Sequence, residues 1–310
     1  MKKTLIVLAL LASFQVADAQ SNVNSAAKAV ESALAASQNE KKATKVATWM
    51  KLAQAYVDAY GAPAGNVWLG ADMNALQLSM AGEKPSSVET VTLNGAQYTK
   101  QVYENKNLYF NANGQLSVIE VVKPVVENAL PKALEAYKKA YELDVKHSKD
   151  KDIIAGIKTI SEKLNQEAYN SYTLGDVKKA EEYFEAAYNA AAQKPYAQID
   201  TNSLYNAAFT SWSTENFSKA KDMFDKCLGY GYYGDNGEVF AKLSDCVSHI
   251  DTTKAGKTAA KDYLEQGFQK FPTSESIVFG LINYYMTSGE GTDRLFELLQ
   301  QAKTTSPDNA

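Results

Sequence analysis

Two stretches decide the fold: Leu164–Ala187, LNQEAYNSYTLGDVKKAEEYFEAA, and Leu204–Cys227, LYNAAFTSWSTENFSKAKDMFDKC. Laid together without a gap, they align Leu164 with Leu204, Ala168 with Ala208, Tyr172 with Trp212, Asp176 with Asn216, Ala180 with Ala220 and Phe184 with Phe224, at an offset of 40 residues. Adding 40 again lands on Ala260, Leu264 and Phe268, with Pro272 beyond. A period of this length is the mark of a repeat architecture. Each copy reads as two amphipathic helices joined by a short polar turn. Small residues let two helices approach closely, and aromatics three and four positions away fill the space on the same face.

Further copies lie on both sides. Trp49, Leu52, Ala53 and Tyr56 carry the first-helix pattern, and Ala133, Tyr137 and Ala140 the second-helix pattern. Downstream, Ser276–Met286 and Thr292–Lys303 form a looser pair. The segment His249–Ala255 reads as an overlong loop between helices. These residues resemble the tetratricopeptide repeat (TPR), whose signature is a bulky residue, Leu, a small residue and an aromatic on helix A. A turn follows, then small-x3-aromatic-x2-small on helix B. The resemblance extends to secreted bacterial TPR proteins with an interrupted first repeat. It implies an all-α, right-handed helical-hairpin solenoid carrying a small antiparallel β-meander.

That interruption has its own signals. Val88–Leu93, Gln97–Tyr103, Leu108–Asn111 and Leu116–Val122 alternate in polarity, and Asn94-Gly95 and Asn113-Gly114 stand between runs. Asn-Gly between alternating runs marks a hairpin. The expected organisation is a leader at 1–19, N-terminal helices over 20–83 with a short one near Ala71–Ala81, and a three- or four-stranded meander over 84–123. Helical repeats then fill 124–310, with the first helix B over about Val125–Leu143.

The leader rests on Lys2-Lys3, the apolar stretch Leu5–Phe14 and the small pair in Ala17-Asp18-Ala19, which together predict cleavage before Gln20. No cysteine follows that stretch, so a lipid anchor is not expected, and the run is too short to span a bilayer. The expected setting is periplasmic or secreted. Cys227 and Cys246, on consecutive helices, then face a compartment that permits a disulfide; either they staple those helices or they are two small core residues.

Composition narrows the role. The 310 residues are 45% hydrophobic with net charge −4, and Arg294 is the single arginine among 32 basic residues. Bidentate phosphate recognition recruits arginine, so nucleic-acid partners lose support. Two histidines, His147 and His249, leave little for His-based catalysis or a metal site. No phosphate loop, nucleophile elbow or dinucleotide fingerprint is present, and neither an enzyme nor a cofactor is expected. Gly229–Gly237 is glycine-rich without a lysine, and reads as an inter-repeat loop whose tyrosines pack back or form a tip. The charged run Asp144–Asp152 reads as a solvated connection.

By the TPR resemblance, ligands lie along a wall of helices A, which would bring Asn165, Tyr169, Tyr205, Phe209, Lys242, Asp245 and His249 inward. Tyr205 and Phe209 share a face at i, i+4; they either stack on a ligand or wedge between helices. The charged clamp of some cytosolic TPR domains is not supported, since Asn165 and Cys246 stand where basic residues belong. The expectation is a protein or peptide partner, with carbohydrate capture as the alternative. Leu295, Leu298, Leu299 and Ala302 further imply a helix with an apolar flank needing cover.

Overall fold

The computed structural model describes residues 23–80 and 83–305. The expected leader, and the Ser306–Ala310 tail, lie outside the described residues. The chain divides into two compact units, meeting in sequence at Ile199 and Asp200.

The first unit begins with α1 (Val23–Gln38), α2 (Glu40–Ala43) and α3 (Val46–Gly61), followed by α4 (Met73–Ser79). Four strands come next, β1 (Ser87–Leu93), β2 (Ala96–Val102), β3 (Lys106–Phe110) and β4 (Leu116–Val121). The helices resume with α5 (Ala129–Leu143), α6 (Asp150–Thr173) and α7 (Val177–Ala191). α3 packs on α1 and on α5, across the inserted sheet in sequence, and α6 packs on α5 and α7. Their core joins Leu52, Ala53, Tyr56, Ala133, Tyr137, Ala140, Ile157, Leu164 and Ala187. The first helix B starts at Ala129, later than expected, because Asn128 takes a left-handed conformation (φ 55°) that a helix cannot continue through.

The strands form one antiparallel meander in the order β1-β2-β3-β4. Asn94 and Gly95 both have positive φ, as a two-residue turn between right-twisted strands requires. The sheet and α4 share a small core of Leu76, Leu108, Phe110 and Leu116. Hydrogen bonds tie the insert to α6: Asn94 Nδ2 donates to Tyr172 O (3.0 Å) and Thr173 O (3.3 Å), and Asn170 Nδ2 to Ile119 O (3.1 Å).

The second unit contains α8 (Thr201–Ser213), α9 (Phe217–Gly229), a 3-10 turn at Asp235–Gly237, α10 (Glu238–Ile250), α11 (Lys254–Lys270), α12 (Glu275–Ser288) and α13 (Thr292–Thr305). Each helix packs on the next in sequence from α8 to α13.

Repetition holds down to single hydrogen bonds. Asp176 N donates to Ser171 O (2.9 Å) and Asn216 N to Ser211 O (2.9 Å); Ala180 N donates to Asp176 O (3.0 Å) and Ala220 N to Asn216 O (2.9 Å). Ala168, Ala180, Phe184 and Ala187, like Ala208, Ala220, Phe224 and Cys227, are wholly buried. These are repeated helical hairpins, the first interrupted by a β-insert. In the third copy Gly267 takes the small position, where a methyl group would stand 2.8 Å from Phe240 Cβ and Ile277 Cδ1.

Two local expectations are corrected. The loop after His249 shrinks to Asp251–Thr253, because α10 runs on to Ile250 and the Thr253 hydroxyl caps α11 at Gly256 N (3.4 Å). Asp144 is buried, not solvated: it accepts from Lys149 N (2.5 Å) and Ser148 Oγ (3.0 Å), closing the turn between α5 and α6.

Candidate functional site

The site-forming side chains fall into two sets, one in each unit. In the first unit Tyr169 of α6 sets its ring edge-on to Phe184 of α7, centroids 5.1 Å apart, which makes it part of the hairpin's packing. Asn165, one turn earlier, is half-buried, and its Oδ1 is buried without a hydrogen-bond partner among the described residues. A buried amide oxygen left unpaired costs desolvation energy and accepts any N–H brought to it.

Nearby stands a polar cluster that sequence reasoning missed. Tyr60 of α3 donates to Glu167 Oε1 of α6 (2.6 Å), and Lys163 Nζ lies 5.2 Å from the Tyr60 ring centre. Burial holds the Glu167 carboxyl above, and the Lys163 ammonium below, their ordinary ranges. Tyr60 is raised by burial and then by Glu167.

The second unit holds the more elaborate arrangement. Tyr205 and Phe209 of α8 are buried, 5% and 7% exposed, so they wedge between helices and offer no free ring to a ligand. Tyr205 packs against Phe224 and Tyr232 and donates to Glu238 of α10. Burial, then that bond, raises its phenol far above the ordinary value. Two turns along α8, Trp212 repeats the pattern: its indole N–H donates to Asp245 Oδ2 of α10 (2.6 Å). Lys242 lays its ammonium 3.2 Å from the Trp212 ring centre and 5.3 Å from that of Phe209. His249 stacks on Phe217 of α9 at 4.1 Å, and its Nδ1–H donates to Asp245 O (2.9 Å), since a carbonyl only accepts.

Four side chains therefore meet on the α8–α10 wall: half-buried Trp212, Lys242 and Asp245, and exposed His249. Each is oriented by another, so a ligand would meet an aromatic edge, a cation and a carboxylate already in place. Lys242 and Asp245 came from the resemblance; Trp212 stands at the repeat position aligned with Tyr172. Its signal was available, because Tyr205/Glu238 and Trp212/Asp245 are both donor–carboxylate pairs 33 residues apart.

Of the remaining sequence candidates, Cys227 and Cys246 are buried free thiols, each pushed by burial up to about 12. Tyr233 folds back onto Phe240 (5.8 Å) and Phe271 (5.6 Å), while Tyr230 is exposed. Among the described residues no cluster of His, Cys, Asp and Glu suits a metal ion, and no helix is long and apolar enough to cross a membrane.

No family model matches the chain, and no curated protein does. Solved structures do. YrrB, a TPR protein with an unusual peptide-binding site, is 18% identical over 58% of this chain and 80% of its own, with a TM-score of 0.35. BtubC from P. vanneervenii is 13% identical over 93% and 90%, with a TM-score of 0.37. The TPR2AB domain of yeast Sti1, in a complex with pHSP90, is 12% identical over 58% and 85%, with a TM-score of 0.30.

Proposed function

We propose that this protein is a non-catalytic scaffold that holds a segment of a partner protein against the α8–α10 wall, outside the cytoplasm. One observation carries the binding reading: Trp212 is fixed by its bond to Asp245 while Lys242 lies over its ring. An oriented aromatic with an adjacent cation and carboxylate offers contact area at low entropic cost and selects a segment bearing both charges. Tyr205 and the two thiols support a structural rather than a catalytic role, because burial makes them hold their protons more tightly than usual.

A photo-crosslinking residue at Lys242, with one at exposed Lys226 of α9 as control, tests this in the native envelope. A discrete adduct is expected at 242 and not at 226, and it should fade when Trp212→Ala is added. Equal labelling at both positions refutes the assignment. The extracytoplasmic setting is supported by the Lys2-Lys3, Leu5–Phe14, Ala17-Asp18-Ala19 pattern. Protein from the envelope should begin at Gln20 by intact mass, and a cytoplasmic protein retaining Met1 would reject it. The alternative, glycan capture, is favoured by Trp68, which is 44% exposed. Glycan-array binding that is lost in Trp68→Ala, without any protein adduct, would reverse the order.

A further inference from the structure

α13 has two different faces. Leu298 and Ala302 are buried against Leu281 and Ile277 of α12. Beyond that seam the helix carries Phe296, 63% exposed, and Leu299, 42% exposed. Thr292, Phe296, Leu299 and Lys303 follow at i, i+4, i+7 and i+11, which places them in one stripe along the helix. A large apolar pair at the centre of a stripe, with polar residues at its ends, is the anatomy of a contact surface.

The charges say what kind of contact. Asp293 stands in the first turn and Lys303 in the last, and neither has an ion-pair partner among the described residues. Arg294 and Glu297, between them, are already spent: Arg294 pairs with Glu297 (3.0 Å) and Glu265 (3.6 Å) and covers the Phe268 ring (4.7 Å). Lay a second α13 antiparallel on the first, and Phe296 meets Leu299 of the other copy. Lys303 then meets Thr292 and Asp293 at both ends. Lay it parallel, and Lys303 meets Lys303 and Asp293 meets Asp293. The stripe is self-complementary in the antiparallel register and self-repelling in the parallel one.

We infer that the outer face of α13 is the contact by which two copies of this chain associate, isologously and with their α13 helices antiparallel. Such a contact obeys two-fold symmetry, each copy giving the same patch. It is also small. A helix of 14 residues is about 21 Å long, and a single helix flank buries well below the roughly 800 Å² per partner of a stable complex. Association is therefore weak and reversible. It is independent of the α8–α10 wall, because none of its residues belongs to that site.

Sedimentation of the purified protein from about 5 μM to 1 mM tests it, over the range where interfaces this small assemble. The weight-average mass should climb toward twice that of the monomer at the upper end. Phe296→Glu should hold the mass at the monomer value while leaving the thermal midpoint unchanged, because that side chain is not in the core. Lys303→Asp alone should weaken association several-fold, and Asp293→Lys added to it should restore association by exchanging the two ends. A monomer at every concentration overturns the inference. So does a dimer indifferent to Phe296→Glu, or a double exchange that fails to restore what the single one lost.

Discussion

Gly156 lies where α6 crosses the Tyr137 side chain of α5. A methyl group there would stand 2.2, 2.4 and 2.5 Å from Cζ, Cε2 and Oη of Tyr137. Carbon atoms rest at about 3.5–4.0 Å, so the ring or the helix must yield by more than an ångström. Tyr137 has little room to yield, being buried in a core shared with Leu52, Tyr56 and Ile157. Overpacking of this kind costs about 1–3 kcal/mol. Against it, alanine in place of glycine favours a helix interior by about 1 kcal/mol. Gly156→Ala should therefore destabilise the protein by about 1 kcal/mol. In a chain with units of this size that is roughly 2–4 °C in the thermal midpoint.

The sign of the effect should depend on Tyr137. The three conflicting atoms form the outer end of the ring, which leucine lacks. In a Tyr137→Leu background the steric term vanishes and the helix-propensity term remains, so Gly156→Ala should become neutral or stabilising. Urea unfolding followed by circular dichroism on the four proteins gives the coupling directly. Gly156→Ala that stabilises the parent protein would refute the close-approach argument. An equal loss in both backgrounds would do so too, because the cost would then arise elsewhere.

Three other outcomes follow from single features. Glu215 occupies the left-handed position (φ 63°) that Gly175 fills in the preceding repeat, so Glu215→Gly should stabilise by about 0.5–1 kcal/mol in the same urea assay. Burial raises the folded-state pKa of Glu167, so its contribution is present at acid pH and is lost as pH rises from the ordinary carboxyl range through the raised value. Glu167→Gln keeps an acceptor for Tyr60 and should flatten that limb of the stability–pH curve while raising stability at neutral pH; an unchanged curve would count against it. Cys227 and Cys246 should react with a disulfide reagent at least about 100-fold more slowly in the folded protein than in urea, since both are buried and protonated at neutral pH.

What the sequence made legible was whatever repeats or follows local chemistry. Ala168/Phe184 and Ala208/Phe224 announced close helix pairs because small and large residues must alternate there. Asn94-Gly95 announced a turn because the two-residue hairpin demands positive φ twice. Asp144 was misread because its charge argued for solvent, while the bonds from Lys149 N and Ser148 Oγ that satisfy it inside depend on the closed turn. The start of the first helix B was misplaced because apolar Val125 and Val126 continue the pattern, while Asn128 breaks the backbone without breaking the hydropathy.

The site shows the same division at a finer scale. On a wall of helices A, Tyr205 and Phe209 were open to either use, since aromatics on a groove suit a ligand as well as they suit a core. Sequence cannot separate those uses, because both need the same residues at i, i+4. What separates them is the polar handle. An enclosed tyrosine must place its hydroxyl, and two on helices A place theirs on the next helix A: Tyr60 on Glu167, Tyr205 on Glu238. Removing such a phenol would strand a carboxylate, so these aromatics are committed to holding neighbouring helices together. Trp212 makes the same span to Asp245 but remains half-exposed, with Lys242 on its face. It sits where the spacing device reaches the surface, which is why the binding assignment rests on Trp212, Lys242 and Asp245.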